Sequence, residues 1–336
     1  MIFSEAAGLN NSIYGNSQYP IKMMLTHQSE AFETESVLPK IFCMDETGNF
    51  AEKYTYETSL GNFQAVGEQG IYPESSFQEG YGSVIQPDEW KLQFSVTQTM
   101  IEDAKFGKVK QKAYGFMKSH YRTREQFGLG ILNNGQATTM TFGANAKSFN
   151  IACADGLALF SGAHTSITGG TGPQSNYFSN PFSYDALCLG EERMRYLTDD
   201  DGNILDISPD TIIIPPKAKT LKLVLDAIGA SEGMPNTTNN SFNFQYGRWN
   251  VIMSPYLTNT SGITAGTDTW YLADSKWNEM YEGLIMLDRI PLTVKSYVDE
   301  KTDANIIKGR ARYIAKPNRW NGIAKFDPGV GTTLLS

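Results

Sequence analysis

The chain has 336 residues, with 28 Lys+Arg against 36 Asp+Glu for a net charge of −8. That balance argues against a generic basic coat for nucleic acid. Only 19% of residues are charged, below the roughly 25% of an ordinary soluble chain, while 12% are aromatic and 40% hydrophobic; such a composition suits protein partners and excludes disorder throughout. The length allows one large domain or two to three smaller ones. Cys43, Cys153 and Cys188 are far apart and form no C-x-x-C pair, which speaks against a disulfide framework or a Cys-rich zinc site. No basic n-region with an apolar h-region opens the chain, and no apolar run reaches the about 18 residues of a membrane span, so a cytosolic, soluble protein is expected.

Residues 1 to about 40 carry scattered apolar residues without a steady period and read as an extended or partly helical arm. From Phe50 to Thr58 and from Glu89 to Thr97 polar and apolar residues alternate, and in the second run Trp90, Leu92, Phe94 and Val96 share one face. These are two half-exposed strands. Between them Gly61, Gly67, Gly70, Gly80 and Gly82 punctuate a segment that holds Phe63, Tyr72, Phe77 and Tyr81, which fits a long hairpin with an aromatic, flexible tip. An isolated ribbon is marginal in water. It has to rest on its own domain or on a neighbour, and the residues alone leave both open.

From about Gln98 to Asn134, Phe106, Val109, Ala113, Phe116, Met117, Phe127 and Ile131 recur at helical intervals, in a helix close to 50 Å long if unbroken. Lys105, Lys108, Lys110, Lys112, Lys118, Arg122 and Arg124 make it basic. A solvated face is the ordinary reason for such a run, and contact with nucleic acid or an acidic partner the functional one. Gly107, Gly115, Gly128 and Gly130 predict bends or close packing. A Gly/Ser/Thr-rich stretch of loops and short strands follows to about Pro181. Ser183 then caps a helix carrying Leu187, Met194 and Leu197, which stops at the acidic turn Asp199–Gly202. Thr211–Ile214 reads as a buried strand ended by Pro215-Pro216, and a helix with Leu221, Val224, Leu225 and Ile228 on one face ends near Gly229. Strands are expected at Arg248–Met253, Thr269–Ala273, Ile290–Val298 and Ile306–Ala315. The whole is α+β, with helices and strands segregated.

Chemical motifs fail their own structural tests. Gly229-Ala230-Ser231-Glu232-Gly233 has the letters of a nucleophile elbow, but it follows a helix, and His27, His120 and His164 all precede Ser231, against the order Ser, acid, His that such hydrolases need. A hydrolase built on Ser231 is the enzyme alternative and a poor one. In Asp199-Asp200-Asp201-Gly202, aligning the glycine with that of a calcium loop puts Leu197 and Ser208 at ligand positions. Gly169-Gly170-Thr171-Gly172-Pro173 lacks the Lys-Ser/Thr of a P-loop, and Gly128-Leu129-Gly130 lacks a third dinucleotide-binding glycine. No catalytic residue, cofactor or metal is expected.

The order of segments is itself informative. With Gly156-Leu157-Ala158-Leu159-Phe160-Ser161-Gly162-Ala163-His164, the passage Asp201 to Pro216 and Trp270-Tyr271-Leu272-Ala273-Asp274, the chain resembles tailed-bacteriophage major capsid proteins of the Hong Kong 97 type, nearest the Mu-type major head subunits. The resemblance implies an N-terminal arm over 1–40, an E-loop hairpin over 41–97, a peripheral domain with a long spine helix over 98–181 and 275–325, an axial domain over 182–274 and a tail over 326–336. It further implies hexamers and pentamers closing into an icosahedral shell around double-stranded phage DNA held without sequence specificity, with no enzymatic role and no membrane. Separate scaffolding, portal and decoration proteins are the implied partners, and the virion, assembled in the host cytoplasm, the implied location. Phe63, Tyr72, Phe77, Tyr81 and Trp90 are the expected inter-subunit contacts, and Lys105, Lys108, Lys112, Lys118 and Arg122 the expected interior-facing or scaffold-binding cations. An encapsulin-like nanocompartment shell and a tail or baseplate protein are the alternatives, the first told apart by what the particle encloses, the second by more regular β-repeats.

Overall fold

The structure, a computed structural model, describes residues 2–3, 32–58, 60–68, 70–74, 78–103, 106–168, 172–229, 243–257 and 268–328. In chain order the strands are β1 (Ile2–Phe3), β2 (Cys43–Glu46), β3 (Glu52–Glu57), β4 (Glu79–Ile85), β5 (Asp88–Val96), β6 (Thr139–Phe142), β7 (Lys147–Asn150), β8 (Tyr177–Phe178), β9 (Thr211–Ile214), β10 (Asn250–Met253), β11 (Trp270–Ala273), β12 (Leu284–Asp299), β13 (Ala304–Pro317) and β14 (Ile323–Phe326). The helices are α1 (Gln98–Glu102), α2 (Phe106–Asn133), α3 (Tyr184–Arg195), α4 (Ala218–Ile228) and α5 (Ser275–Met280). Most of the expected arm lies outside the described residues, as do Phe77, Lys105 and Ser231.

The first sheet is built on β12, β13 and β5, antiparallel neighbours in that order, with β1 and β2 adding in parallel along the far edge of β12. Strand alternation puts Ile307, Gly309, Ala311 and Tyr313 of β13 on the buried face beneath α2, while Lys308 and Arg310 point the other way. At Gly309 an added Cβ would lie 2.5 Å from Cζ of Phe116, so the helix approaches the sheet where a side chain is missing. Around Trp90 the core is aromatic: the indole stacks on Tyr313 at 5.2 Å and on Phe149 of the β6–β7 hairpin at 5.9 Å, and meets Phe127 of α2 edge-on at 5.2 Å.

The second sheet has the order β10-β9-β11-β14-β8. All four residues of β9 and of β11 are buried because both faces of this sheet are covered. Ile212, Ile214, Trp270 and Leu272 face α3 and α4, whereas Ile213, Tyr271 and Ala273 join the first core. Trp270 stacks on Phe326 at 3.9 Å. α3 starts where its cap residue predicts, the Ser183 side chain accepting from the Ala186 amide. α4 buries Val224, Ala227 and Ile228, spaced as one helical stripe; Leu225, expected on that stripe, sits a quarter-turn away and is exposed.

Two expectations are corrected. The return strand of the hairpin is β4, which pairs antiparallel with β3, and the strand at 88–96 joins the long sheet beside β13 instead. Gly80 and Gly82, which read as loop punctuation, lie inside β4: a Cβ on Gly80 would come within 2.6 Å of the Tyr56 ring, and one on Gly82 within 2.6 Å of Thr55 Cγ2. The missing side chains let those groups lie across the ribbon. Secondly, the single helix expected over 98–134 is α1 followed by α2, the latter 28 residues and about 42 Å long. Of its glycines, Gly128 and Gly130 serve close packing, under Leu38 and Met140 respectively, while Gly107 and Gly115 have open space around them.

Candidate assembly surfaces

β3 and β4 form a two-stranded sheet by themselves, fixed to the body at the root by Tyr54 and Ile85, which are buried in the first core, and by a short set of polar contacts. The Tyr56 hydroxyl donates to Asp200 Oδ2 at 3.1 Å, and the Arg319 guanidinium lies over the Tyr56 ring at 4.1 Å, with Trp277 and Tyr281 at 5.4 and 5.5 Å. Burial among these rings pushes the Arg319 pKa down, against the opposing pull of Tyr56 and Asp200. The same burial, then the Asp200 charge, pushes the Tyr56 phenol up, so the hydroxyl keeps its proton and remains a donor. Asp200 is held in turn by the Ile167 amide at 3.0 Å, and Lys316 Nζ donates to Val84 O at 3.4 Å. Further out, Asn62 Nδ2 donates to Asn203 Oδ1 at 2.8 Å, seating one side of the loop on the acidic turn.

Beyond the root the ribbon carries apolar side chains into solvent. Phe63 is fully exposed, and Tyr72 and Ile71 are 92% and 89% exposed. Burying a side chain of this size returns about 1.5–3 kcal/mol, so the tip is costly to leave uncovered. Ile71 was signalled only by its place between Gly70 and Pro73. Tyr81 is half-buried, its ring 6.5 Å from that of Tyr56, which makes it a root residue. Trp90, expected at a subunit contact, is used inside the chain's own core, its Nε1 donating to Tyr313 O at 3.0 Å.

The basic helix divides by face. Lys108, Lys112, Lys118 and Arg122 are exposed, although Lys112 Nζ donates to Ser95 O at 2.7 Å and Lys118 lies 5.9 Å over the Tyr114 ring. Arg124 turns inward, pairs with Asp288 and covers the Tyr313 ring at 5.3 Å.

Between the root and the body His164 is buried, its Nδ1 2.7 Å from Asp155 Oδ2 and its ring stacked on Trp320 at 4.2 Å. Ser166 lies close in sequence, yet its hydroxyl donates to Asp200 O at 3.0 Å. Its proton is directed away from His164, in a structural tie between the acidic turn and the loop 165–168. Among the described residues no group of three or more His, Cys, Asp or Glu could hold a metal ion, and no helix is long and apolar enough to cross a membrane.

A family described as phage capsid protein matches residues 80–326, more than half of the chain. The chain belongs to that family. The phage capsid protein has a structural, capsid-forming role in the virion, not an enzymatic one. Its fold, the phage major capsid fold of the Hong Kong 97 type, is similar to that of the capsid of Myoviridae phage XM1, at 12% identity over 87% of this chain and 90% of that one, with a TM-score of 0.52. The capsid of Ralstonia phage GP4 is similar at 7% identity over 84% of each chain, TM-score 0.52. The capsid of a native GTA particle is similar at 10% identity over 87% and 90%, TM-score 0.50. No curated protein sequence matches the capsid protein.

Proposed function

We propose that this capsid protein is the major head subunit of a phage, nearest the Mu-type, that assembles as hexamers and pentamers into an icosahedral shell around double-stranded DNA. One observation carries the reading: a self-paired ribbon, fastened at Tyr56 and Arg319, presents Phe63, Ile71 and Tyr72 to solvent with no core of its own. Many identical neighbours remove that cost if each receives the tip of the next. In this reading 41–97 is the E-loop, α2 the spine helix of a peripheral domain spanning 98–181 and 275–325, and 182–274 the axial domain that meets its copies at capsomer centres. Scaffolding, portal and decoration proteins are separate chains, and the exposed cations of α2 meet an acidic scaffold or the packaged DNA.

Electron microscopy of the purified chain, alone and with its scaffold, tests this directly. Closed shells are expected, and deletion of Gly61 to Gly82 should leave a folded monomer that forms none. Normal shells from the deletion would remove the hairpin from the assembly mechanism.

A further inference from the structure

The face of the first sheet turned away from α2 carries cations that the described residues pair only in part. In the strand register Lys91 of β5 stands opposite Arg310 of β13, and Lys308 of β13 stands opposite Lys295 of β12. Directly opposed like charges destabilise a strand pair. The first pair is relieved within the chain, because the Glu89 carboxylate reaches Lys91 Nζ at 2.7 Å and also binds Arg310. Among the described residues the second has no such relief. Lys308 Nζ lies over the Tyr297 ring at 4.8 Å, and among the described residues neither Lys295 nor Lys308 has an ion-pair partner. Among the described residues no carboxylate answers this pair, and one carried by a second chain would.

The hairpin is the complementary surface. From Tyr54 to Trp90 the sequence holds Glu57, Glu68, Glu74, Glu79, Asp88 and Glu89 and not one Lys or Arg. Glu79 is taken by Lys53 at 2.9 Å and Asp88 by Lys147 at 2.7 Å, whereas Glu68 and Glu74 are exposed at the tip, flanking Ile71 and Tyr72. The chain's own loop is tied to its acidic turn at Asn62 and Asn203, and the tip of a second copy offers the same carboxylates to the basic face. The aliphatic stems of the lysines can cover Ile71 and Tyr72 of such a tip while their ammonium groups take the carboxylates.

We infer that Lys295 and Lys308 receive the Glu68 and Glu74 carboxylates of a neighbouring copy's hairpin, an inference that rests on the hairpin being the docking element proposed above. Charge reversal and rescue test it, with closed-particle yield read by electron microscopy and sedimentation. Lys308→Glu should lower the yield at least tenfold while the isolated chain keeps its circular-dichroism spectrum and its thermal midpoint does not fall, since a repulsion has been removed. Adding Glu68→Lys or Glu74→Lys to the same chain should restore the yield to within about threefold. Lys308→Gln, the milder variant, should flatten the fall in yield with added salt. Normal particles from Lys308→Glu would overturn the inference. So would failure of both glutamate reversals to rescue, which would assign the anion to another source, such as nucleic acid or a scaffold, and leave hairpin docking standing. If the 61–82 deletion itself assembles normally, the docking proposal fails instead.

Discussion

Gly309 shows how one missing side chain sets the distance between layers. It faces Phe116 across a gap with no room for a methyl group, and Leu292 Cδ1 would also lie 3.2 Å from an added Cβ. Gly309→Ala should therefore destabilise the chain by about 1–3 kcal/mol through overpacking, read as a lower urea midpoint at unchanged slope. His120 gives a second residue-scale expectation. Burial, and then the positive charge of Arg124, lower its pKa to about 4, and its ring packs edge-on against Tyr121 at 5.1 Å and Tyr313 at 6.0 Å. The unfolded chain binds this proton near the ordinary pH of about 6.5, so the unfolded state holds more protons between those two values. The contribution of neutral His120 is then complete above pH 6.5 and is lost as the pH falls towards 4. Replacing His120 by Phe should flatten the stability profile over that window and leave it unchanged above.

Elements show which parts of the fold local chemistry dictates. β9 and α3 were legible because each carries a complete local signal: an apolar β-branched run closed by two prolines, and a serine placed one residue before a helical stripe. Ser183→Ala should cost about 1 kcal/mol, measurable by denaturant unfolding. β4 was illegible for a physical reason. Glycine ordinarily weakens a strand, and the groups that require Gly80 and Gly82, Tyr56 and Thr55, stand more than twenty residues earlier in the sequence. Nothing local distinguishes them from turn glycines. The division between α1 and α2 escaped the sequence because Val109, Phe116 and Met117 carry the same period on either reading. The like-charged pair Lys295 and Lys308 could not be found before the register of β12 on β13 was known, since residues thirteen apart reveal no proximity until the strands are aligned.

At the scale of the whole molecule the chain divides its apolar residues into those that close its two cores and those that it presents. The family resemblance put Trp90 among the expected presented ones, and alternation could not correct this, because it gives the buried face of a strand but not what lies upon it. The structure covers that face with Phe127, Phe149 and Tyr313. Phe63, Ile71 and Tyr72 are the presented set. Their combined replacement by Ala should change the stability of the isolated chain by less than about 0.5 kcal/mol, as for surface positions generally, and should abolish closed particles. Equal loss of monomer stability and of particles would mean that the tip serves the chain's own fold.

The position of the last two long-range strands has a consequence for biosynthesis. β13 lies between β12 and β5, and β14 between β11 and β8, so each sheet is completed by a segment emerging from the ribosome after residue 300. Pairings this distant form slowly, so the first sheet is incomplete on a nascent chain that stops short of Pro317 and the second on one that stops short of Phe326. Prematurely terminated products thus lack a stable body and are material for proteolysis, which removes defective copies before they can enter a capsid.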